Sequence, residues 1–478
     1  MNLTDHTSAQ IDATVAAAAA AADTWAASSA ATRAALLRGL AEALEAARDT
    51  LVPLADRESH LGPARLNGEL DRTAFQLRGF ATRVEAGDPF AHTDDPAVAG
   101  APPAGHPALL RVRQPLGPVA MFSASNFPFA FSVLGGDTAS ALAAGCPVIV
   151  KGHPAHPALT RATAALAAGV VQAQGLPAGV FGLVEGAAVA VGVHLVQHPA
   201  IAAVAFTGSF RGGAALQAVA NARPRPIPFF GELGSINPVV ARPAVLAAQG
   251  PALATTLAGS ITLSCGQFCT SPGVIVLLDD PASDRFVDAL AAALGDARPH
   301  AMLTPGMRAN FDAGVARWAA TPGVQWRVAP GAPGTGGDAP TPALAVTTAA
   351  TFIATPALHD EVFGPAALVV RAASTDEAAA VLQAIGGSLT VTLWGADTDD
   401  ADSRALVRAA MQTAGRVLFS GVPTGVAVTA GQQHGGPWPS STRAETTSVG
   451  WAAMDRFLRP VALQDAPAWL QGLGGQPC

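Results

Sequence analysis

The stretch that decides the fold is residues 117–151, GPVAMFSASNFPFAFSVLGGDTASALAAGCPVIVK. It holds two short apolar runs, residues 117–122 and 147–150, on either side of a segment at 131–144 that favours a helix. Two strands joined by a helix of this length pair in parallel through a right-handed crossover. The stretch therefore predicts the first βαβ unit of a parallel sheet, with polar residues in the turns where its strands end.

The same alternation runs through most of the chain and predicts an α/β protein with two such sheets. Residues 14–86 have apolar residues at helical spacing, so we expect a set of helices joined near Pro53 and Pro63. Residues 88–107 and 330–342 are rich in Pro and Gly and are predicted as loops. Further strands are predicted at 109–113, 179–184, 201–206, 227–230, 274–278, 366–370, 389–394 and 415–419, and helices at 157–174, 187–197, 209–222, 242–263, 284–294 and 376–384.

Composition limits the class of protein. With 478 residues, of which 50% are hydrophobic, the chain can form two or three domains with large cores. The net charge of −7 and the lack of any basic run argue against nucleic acid as a partner. We see no run of 18 strongly apolar residues and no secretory signal pattern, so no membrane partner is expected. Four cysteines do not make a disulfide framework, which fits a reducing cytoplasm.

Two of the cysteines lie in the turn 264–273, SCGQFCTSPG, ahead of an apolar run. A thiolate is a strong nucleophile, and a thiol presented by a Gly-bounded turn at the start of a strand is a candidate for covalent catalysis. Cys269 is therefore the candidate nucleophile, with Cys265 next in line; the alternative is that they are inert core residues. No second Cys or His pair lies nearby at ligand spacing, so no metal site is expected.

Other polar residues fall in the turns after predicted strands, where parallel sheets bind ligands. Gly208 and Ser209 open a helix whose N–H groups suit a pyrophosphate, although a serine here also serves as an ordinary N-cap. Lys151 ends a strand and either contacts ligand oxygens or lies at the surface. Asn126 is either a turn former or a side-chain donor to an oxyanion.

Two carboxylates also lie beside predicted strands. Glu232 follows an apolar run, where burial would raise its pKa and let it act as a general base; the alternative is a salt bridge. Glu361 precedes a strand and could bind ribose hydroxyls, with Phe363 as a packing surface, or could belong to a solvated acidic turn.

The predicted helix at 70–80 carries Arg72, Gln76 and Arg78. A buried arginine here would bind a substrate carboxylate through a bidentate pair. Arg72 and Arg78 are six residues apart, so at most one of them can point inward. The alternative for either arginine is a solvated helix face.

Six motifs in order resemble the aldehyde dehydrogenase superfamily over almost the whole chain. They are SNFP at 125–128, the strand-end Lys151 with Pro157, FTGS at 206–209, ELG at 232–234, GQFC at 266–269 and EVFGP at 361–365. The resemblance implies a Rossmann-type cofactor domain at 1–96 and 115–233, an α/β catalytic domain at 234–458, and a small β oligomerisation element at 97–114 and 459–478. It also implies a homo-oligomer, either a dimer or a tetramer.

The resemblance further implies oxidation of an aldehyde to its acid with NAD(P), through a thiohemiacetal and a thioester on the nucleophile. The implied roles are Cys269 as nucleophile, Asn126 and the N–H of Cys269 as oxyanion hole, Glu232 as the base for deacylation, Lys151 and Glu361 as ribose ligands, Ser209 with Gly208 as pyrophosphate contact, and Phe363 as nicotinamide support.

Within the superfamily, KGHPAHP at 151–157, GQFCT at 266–270 and HGGPWP at 434–439 look most like the ketoglutarate-semialdehyde (2,5-dioxopentanoate) dehydrogenase branch. The expected substrate is thus that compound or a related semialdehyde. Many members have a Glu where this chain has Pro154, and a carboxylate there would favour NAD over NADP. We therefore expect NADP to be accepted and preferred, with NAD as the alternative, and Lys151, His153 and His156 as positive partners for the phosphate.

A second departure from the family pattern is ELGSI at 232–236 in place of ELGGK, which leaves the catalytic Glu232 intact. Two other functions stay open at this point. A coenzyme-A-acylating dehydrogenase would pass the acyl group to a thiol rather than to water, and a non-catalytic relative would have lost the chemistry altogether.

Overall fold

The computed structural model describes residues 3–331 and 339–471. Part of the predicted loop at 330–342, the end of the predicted oligomerisation element and Cys478 therefore lie outside the described residues. The chain divides into two compact units. Unit 1 comprises residues 1–231, 428–431 and 448–478, and unit 2 comprises residues 232–427 and 432–447.

Unit 1 begins with four helices, as the helical spacing predicts. The predicted junction near Pro53 is wrong, because Pro53 lies inside the third helix, whereas Pro63 begins the fourth, where its missing N–H costs no hydrogen bond. Two short strands follow. The elements are α1 (Ser8–Ala26), α2 (Ala30–Ala46), α3 (Arg48–Ser59), α4 (Pro63–Glu85), β1 (Thr93–Asp95) and β2 (Leu109–Pro115).

A five-stranded sheet follows in unit 1, with strand order β5-β4-β3-β6-β7. Its β3, β4, β5 and β6 pair in parallel, which confirms the α/β class predicted from the alternation. The elements are β3 (Val119–Phe122), α5 (Gly136–Ala144), β4 (Val148–Lys151), α6 (Pro157–Ala173), β5 (Phe181–Val184), α7 (Val189–Gln197), β6 (Ala203–Thr207), α8 (Phe210–Asn221) and β7 (Phe229–Glu232).

The helix predicted at 131–144 begins only at Gly136. The residues before it form turns, because the backbone N–H groups of Phe129 and Ala130 donate to the buried carboxylate of Glu69, and that of Gly136 donates to the Ala130 carbonyl. These bonds replace the i to i−4 pattern of a helix. The turn that carries Asn126 is therefore longer than predicted.

Unit 2 is built on a seven-stranded sheet with order β10-β11-β12-β9-β8-β13-β14, parallel except for the β10 and β11 pair. The sequence did not predict β8, α11, β10, β11, α12 or α14. The elements are β8 (Val239–Ala241), α9 (Pro243–Thr262), β9 (Val274–Leu278), α10 (Pro281–Asp296), α11 (Pro305–Ala320), β10 (Gln325–Val328), β11 (Ala343–Thr348), α12 (Ala349–Ala354), β12 (Ala366–Ala372), α13 (Thr375–Ile385), β13 (Ser388–Trp394), α14 (Ala401–Thr413) and β14 (Ala414–Leu418).

Both faces of this sheet are covered by apolar side chains. Along β9, Val274 and Val276 belong to one buried cluster, and Ile275 and Leu277 belong to the other. Successive side chains of a strand point to opposite faces, so an uninterrupted apolar run is what a strand buried on both sides requires. Burial on both faces holds β9 in place in the sheet, and it also positions the turn that precedes the strand.

One segment of unit 2, Pro243–Gly266, is long and apolar enough to cross a membrane by length and composition. It comprises α9 and the turn after it, and Leu253, Leu257 and Ile261 of α9 pack in the core beside the sheet. A core helix passes the same test, so this single segment does not indicate a membrane protein.

The chain returns to unit 1 at residue 448. Here β15 (Leu458–Gln464) pairs with β2 in an antiparallel sheet of order β1-β2-β15, and α15 (Ala468–Gln471) follows. Residues 448–458 group with unit 1, whereas the predicted catalytic domain extends to residue 458. The reason is packing, because the Trp451 ring contacts Phe75 and Phe80 of α4. The functional roles of the predicted domains stay predictions.

Candidate active site

The turn that carries Cys269 has an uncommon backbone. Ser264, Cys265 and Gly266 have φ values of 48°, 62° and 65°, so three consecutive residues adopt the left-handed conformation. This conformation is unfavourable for residues with a Cβ and is concentrated at functional sites. It buries Cys265 and leaves Cys269 partly exposed, and burial raises the pKa of Cys265 to about 12. Cys269 is therefore the accessible thiol of the two.

Gly266 allows two of the sequence motifs to meet. A Cβ at this position would lie 2.3 Å from the carbonyl carbon of Gly364, so only glycine permits the contact. The neighbouring Gln267 is buried, and its side chain donates to the Ser264 carbonyl at 3.1 Å and accepts from the Leu303 N–H at 3.0 Å. The turn is thus held from both sides.

Asn237 holds the far end of the same turn, a role that was not predicted from the sequence. Its Nδ2 donates to the carbonyls of Cys269 at 2.8 Å and Ser271 at 2.9 Å. Its Oδ1 accepts from the hydroxyls of Ser235 and Thr390. Asn237 is fully buried at a φ of 52°, which asparagine tolerates better than most residues.

Three side chains of unit 2 with reactive groups meet at one point. His434 Nε2 lies 3.6 Å from Cys269 Sγ and 3.1 Å from Glu232 Oε1. Glu232 and His434 are buried, and Cys269 is partly exposed. The sequence predicts catalytic roles for Cys269 and Glu232. It predicts no role for His434, which enters only as the first residue of the HGGPWP motif.

The position of His434 is set by its backbone. Its N–H donates to the Thr447 hydroxyl at 2.8 Å, and Ser441 forms a β-bridge with Glu232 in the same region. Segment 432–447 therefore brings the imidazole to the carboxylate and the thiol. Because the same nitrogen faces both groups, it can accept the thiol proton or donate a proton to the carboxylate, but not both at once.

Arg416 adds a positive charge to this environment. Its guanidinium donates to the carbonyls of Pro423 and Gly425, and it interacts electrostatically with Cys269. Burial lowers the pKa of Arg416, and the Cys269 thiolate opposes that shift. A nearby cation stabilises a thiolate, so Arg416 is a second contributor that the sequence did not reveal.

Glu361 lies beside a small cavity of unit 2 that Ser235, Gly266 and Phe363 also line. Part of the residue reaches the surface, but its carboxyl group is enclosed, and burial raises its pKa to about 8 against the opposing effect of the Ser235 N–H. A Cβ on Gly234 would lie 2.7 Å from Glu361 Oε2. The ELG and EVFGP motifs therefore touch, and the solvated acidic turn considered as an alternative is wrong.

Lys151 lies at the end of β4 in unit 1. Its Nζ donates to the carbonyls of Gly186 at 2.7 Å and Gly152 at 2.8 Å. Burial lowers the pKa of Lys151 to about 8, and Asp5 and Glu185 oppose this shift. Lys151 is thus a partly desolvated cation at the carboxyl end of the sheet rather than a surface lysine.

Ser209 is the N-cap of α8, and its hydroxyl accepts from the Gly212 N–H at 3.3 Å. The ordinary capping role considered for Ser209 is therefore present. Gly208 and Ser209 are exposed and lie between the end of β6 and the start of α8. A helix N-terminus at this edge of a parallel sheet can bind an anion whether or not its first residue also caps it.

The prediction that His153 and His156 supply positive charge is wrong. Burial lowers the pKa of both imidazoles, that of His153 to about 3, so both are neutral near pH 7. The ring nitrogens of His156 are also engaged, at 3.0 Å from the Ala124 carbonyl and 3.1 Å from the Thr160 hydroxyl. Of the three predicted partners for a phosphate, Lys151 remains.

Asn126 is buried in the turn after β3 of unit 1. The guanidinium of Arg65 donates to its backbone carbonyl and lies 4.8 Å from the ring centre of Phe127. Further along the turn, the Glu69 carboxylate accepts from the backbone N–H groups of Phe129 and Ala130. Two residues of α4, Arg65 and Glu69, therefore hold the turn at both ends. The structure thus shows an anchored turn around Asn126, and its role as an oxyanion donor stays a prediction.

The helix α4 separates the predicted substrate residues. Arg78 forms a bidentate pair with Glu45 at 2.6 Å on a half-exposed surface, so Arg78 is wrong as a candidate for the substrate carboxylate. The Nε and Nη2 atoms of Arg72 are buried, as is Gln76, which lies four residues further along the same face. At most one arginine points inward, as the spacing predicts.

The chain is similar to known proteins over most of its length. The model of the aldehyde dehydrogenase family matches residues 1–457. The chain is 47% identical over 436 residues to an alpha-ketoglutaric semialdehyde dehydrogenase 2 of Azospirillum brasilense, covering 91% of this chain and 83% of that protein. It is 39% identical over 435 residues to an alpha-ketoglutaric semialdehyde dehydrogenase of Acinetobacter baylyi, covering 91% and 82%.

Two solved structures share the fold. A mutant of proline utilization A from Bradyrhizobium japonicum has a TM-score of 0.80 at 25% identity, covering 96% of this chain and 45% of that longer one. Aldehyde dehydrogenase 21 from Physcomitrella patens, in complex with the reaction product succinate, has a TM-score of 0.79 at 20% identity, covering 97% and 92%. The predicted fold class is confirmed.

Proposed function

Because the chain belongs to the aldehyde dehydrogenase family, we propose that it oxidises a semialdehyde that carries a carboxylate, such as 2,5-dioxopentanoate, to the corresponding acid. The chain is an oxidoreductase that acts on aldehydes with NAD(P). The observation that carries the proposal is the contact of Cys269, His434 and Glu232. The 47% identity to an alpha-ketoglutaric semialdehyde dehydrogenase supports the substrate class.

The reaction begins at the thiol. His434 Nε2 accepts the proton of Cys269, and the charge of Arg416 favours the thiolate that remains. The thiolate sulfur attacks the aldehyde carbon and forms a thiohemiacetal alkoxide. The side-chain amide of Asn126 and the N–H of Cys269 donate to this alkoxide. One such donor lowers the activation free energy by about 3–4 kcal/mol.

The residues fit a dinucleotide. Lys151 supplies a cation with one N–H bond left after its two carbonyl contacts, the start of α8 supplies N–H groups for a pyrophosphate, and Glu361 supplies an enclosed carboxyl for ribose hydroxyls. Phe363 lies beside Glu361 and would pack on the nicotinamide. The cofactor, when bound, is the acceptor for the hydride that the aldehyde carbon loses.

The acyl group then remains on Cys269 as a thioester. Glu232 accepts a proton from water, whose oxygen attacks the thioester carbonyl. The carbon–sulfur bond breaks, the acid is released, and the Cys269 sulfur leaves as a thiolate. His434 Nε2 returns to the sulfur the proton that it took from Cys269, and Glu232 releases the proton that it took from water to the solvent.

For substrate recognition we propose Arg72, with Gln76 on the same face of α4, as the ligand of the distal carboxylate. The buried guanidinium atoms of Arg72 support this assignment. For the nucleotide we propose a preference for NADP, because Pro154 cannot repel a 2′-phosphate and Lys151 can attract it. The chain is further proposed to be a cytoplasmic homo-oligomer that pairs through the β1-β2-β15 sheet.

A substrate panel tests the proposal. The kcat/KM for 2,5-dioxopentanoate should exceed that for pentanal, an uncharged aldehyde with the same number of carbons, with either nucleotide. It should be higher with NADP than with NAD. The product should be the free acid with or without coenzyme A. Formation of an acyl-coenzyme A would favour the acylating alternative, and no reduced cofactor with any aldehyde would favour a non-catalytic relative.

A further inference from the structure

We propose that Cys269, His434 and Glu232 also form a binding site for a thiophilic divalent cation of the zinc class, and that the bound cation blocks the enzyme reversibly. Binding depends on the geometry of the three side chains alone, while the inhibition rests on the proposed role of Cys269 as nucleophile. No metal site was expected from the sequence, because that expectation rested on ligands that are close together in the chain. His434 lies 165 residues after Cys269.

Two of the three donor separations are close to those of a tetrahedral ion. The three donor atoms all lie within 4.8 Å of one another. With Zn–N, Zn–S and Zn–O bonds of roughly 2.0–2.3 Å, a tetrahedral site needs N to S and N to O separations of about 3.6 and 3.4 Å. The observed separations are 3.6 Å from His434 Nε2 to Cys269 Sγ and 3.1 Å from His434 Nε2 to Glu232 Oε1. Shifts of a few tenths of an ångström would bring these two separations to the tetrahedral values. The third separation, from Cys269 Sγ to the Glu232 oxygen, is no more than 4.8 Å and must come to about 3.6 Å when an ion binds.

The donor set has the right chemistry. A thiolate, an imidazole and a carboxylate are all zinc ligands, and three of them leave a fourth position for water. Thiolate and imidazole exclude Mg²⁺ and Ca²⁺, which prefer oxygen. Two of the three ligands are buried, so the ion would be shielded from bulk water.

The surrounding structure holds the ligands in place before an ion arrives. The Cys269 carbonyl accepts from Asn237, and the His434 N–H donates to Thr447. Glu232 is paired through its backbone with Ser441. Preorganised ligands lose little conformational freedom on binding, which favours affinity.

Binding is balanced in protons and electrons without a redox step. The S–H bond of Cys269 breaks, its proton goes to the buffer, and the thiolate donates an electron pair to the metal. His434 donates its Nε2 lone pair, and the Glu232 carboxylate donates through oxygen. The sulfur electron pair is then unavailable to an aldehyde, and the base for deacylation is occupied.

The test uses Co²⁺ as a spectroscopic substitute for Zn²⁺, on protein first assayed without metal. We expect one Co²⁺ per chain, with a sulfur-to-cobalt charge-transfer absorption, and loss of activity with one Zn²⁺ per chain that excess chelator restores. His434→Gln should weaken Co²⁺ binding by at least about tenfold, because one of three ligands is lost. Cys265→Ser, a change at a buried cysteine outside the ligand set, should bind as the unaltered protein does.

Equal Zn²⁺ affinity in His434→Gln and in the unaltered protein would overturn the proposal, since His434 would then not be a ligand of the metal. Absence of the charge-transfer absorption at saturating Co²⁺ would overturn it as well. The cobalt spectrum does not depend on turnover. A protein that shows the spectrum but oxidises no aldehyde would therefore keep the metal site and refute the proposed function.

Discussion

The Nε2 atom of His434 lies 3.1 Å from Oε1 of Glu232, and both side chains are buried. The same nitrogen is the one that faces the Cys269 sulfur at 3.6 Å. Protonation of this one nitrogen therefore affects both the Cys269 thiol and the Glu232 carboxylate. Acylation and deacylation would share one imidazole, whose Nε2 holds the thiol proton while the acyl group is on Cys269.

The first prediction concerns thiol activation. His434→Gln should slow alkylation of Cys269 by iodoacetamide at least about tenfold near pH 7, because a glutamine cannot accept the thiol proton. The difference should narrow as the pH rises and hydroxide removes that proton. The measurement is the alkylation rate against pH, read by peptide mass spectrometry. Superimposable profiles for the two proteins would exclude His434 as the base.

The second prediction separates the half-reactions. Glu232→Gln keeps the size of the side chain but cannot take a proton from water. We expect a burst of reduced cofactor of about one per active site and then a stall, in stopped-flow absorbance. Unimpaired steady turnover would remove Glu232 from the mechanism.

The third prediction compares two arginines of one helix. Arg72→Ala should lower kcat/KM for 2,5-dioxopentanoate by about 10- to 150-fold, which corresponds to a charge-assisted hydrogen bond of about 1.5–3 kcal/mol. Pentanal should be little affected. Arg78→Ala is the matched control, because Arg78 pairs with Glu45 on the surface, and it should leave both substrates near their original values. Equal effects of the two variants would refute the assignment.

The fourth prediction follows from the raised pKa of Glu361. Its folded pKa of about 8 exceeds the ordinary value of 4.5, so the folded state holds a proton that the unfolded state releases. The stability that Glu361 contributes is therefore lost as the pH rises from about 4.5 to 8. Without cofactor, the Tm of the unaltered protein should fall relative to that of Glu361→Gln between pH 5 and 8 and then run parallel. A constant difference over that range would show that the carboxyl is not buried.

Much of the fold could be predicted because it depends on local patterns. Strands buried on both faces, such as 274–278, need an unbroken apolar run, and such runs stand out in the sequence. The helix α11 has Phe311, Val315 and Trp318 at helical spacing after Pro305. The sequence therefore contains the pattern of this helix, although the helix was not predicted. The strand β8 has three residues, too few to show any period.

The sequence points to candidate site residues where one turn holds both the residue and its motif, as for Cys269 and Glu232. The sequence does not reveal contacts between distant segments. Asn237, Arg416 and His434 each act on the Cys269 turn from another part of unit 2. The neutral state of His153 likewise results from burial by the fold, and no local pattern reveals it.

The central claim is that Cys269 carries the acyl group. Glu232→Gln, mixed with 2,5-dioxopentanoate and NADP and quenched in acid within the burst, should gain the mass of one acyl group per chain, and peptide mapping should place it on Cys269. Cys269→Ala in the same background should gain no mass. An acyl group found on another residue, or a burst of reduced cofactor with Cys269 unmodified, would contradict the account.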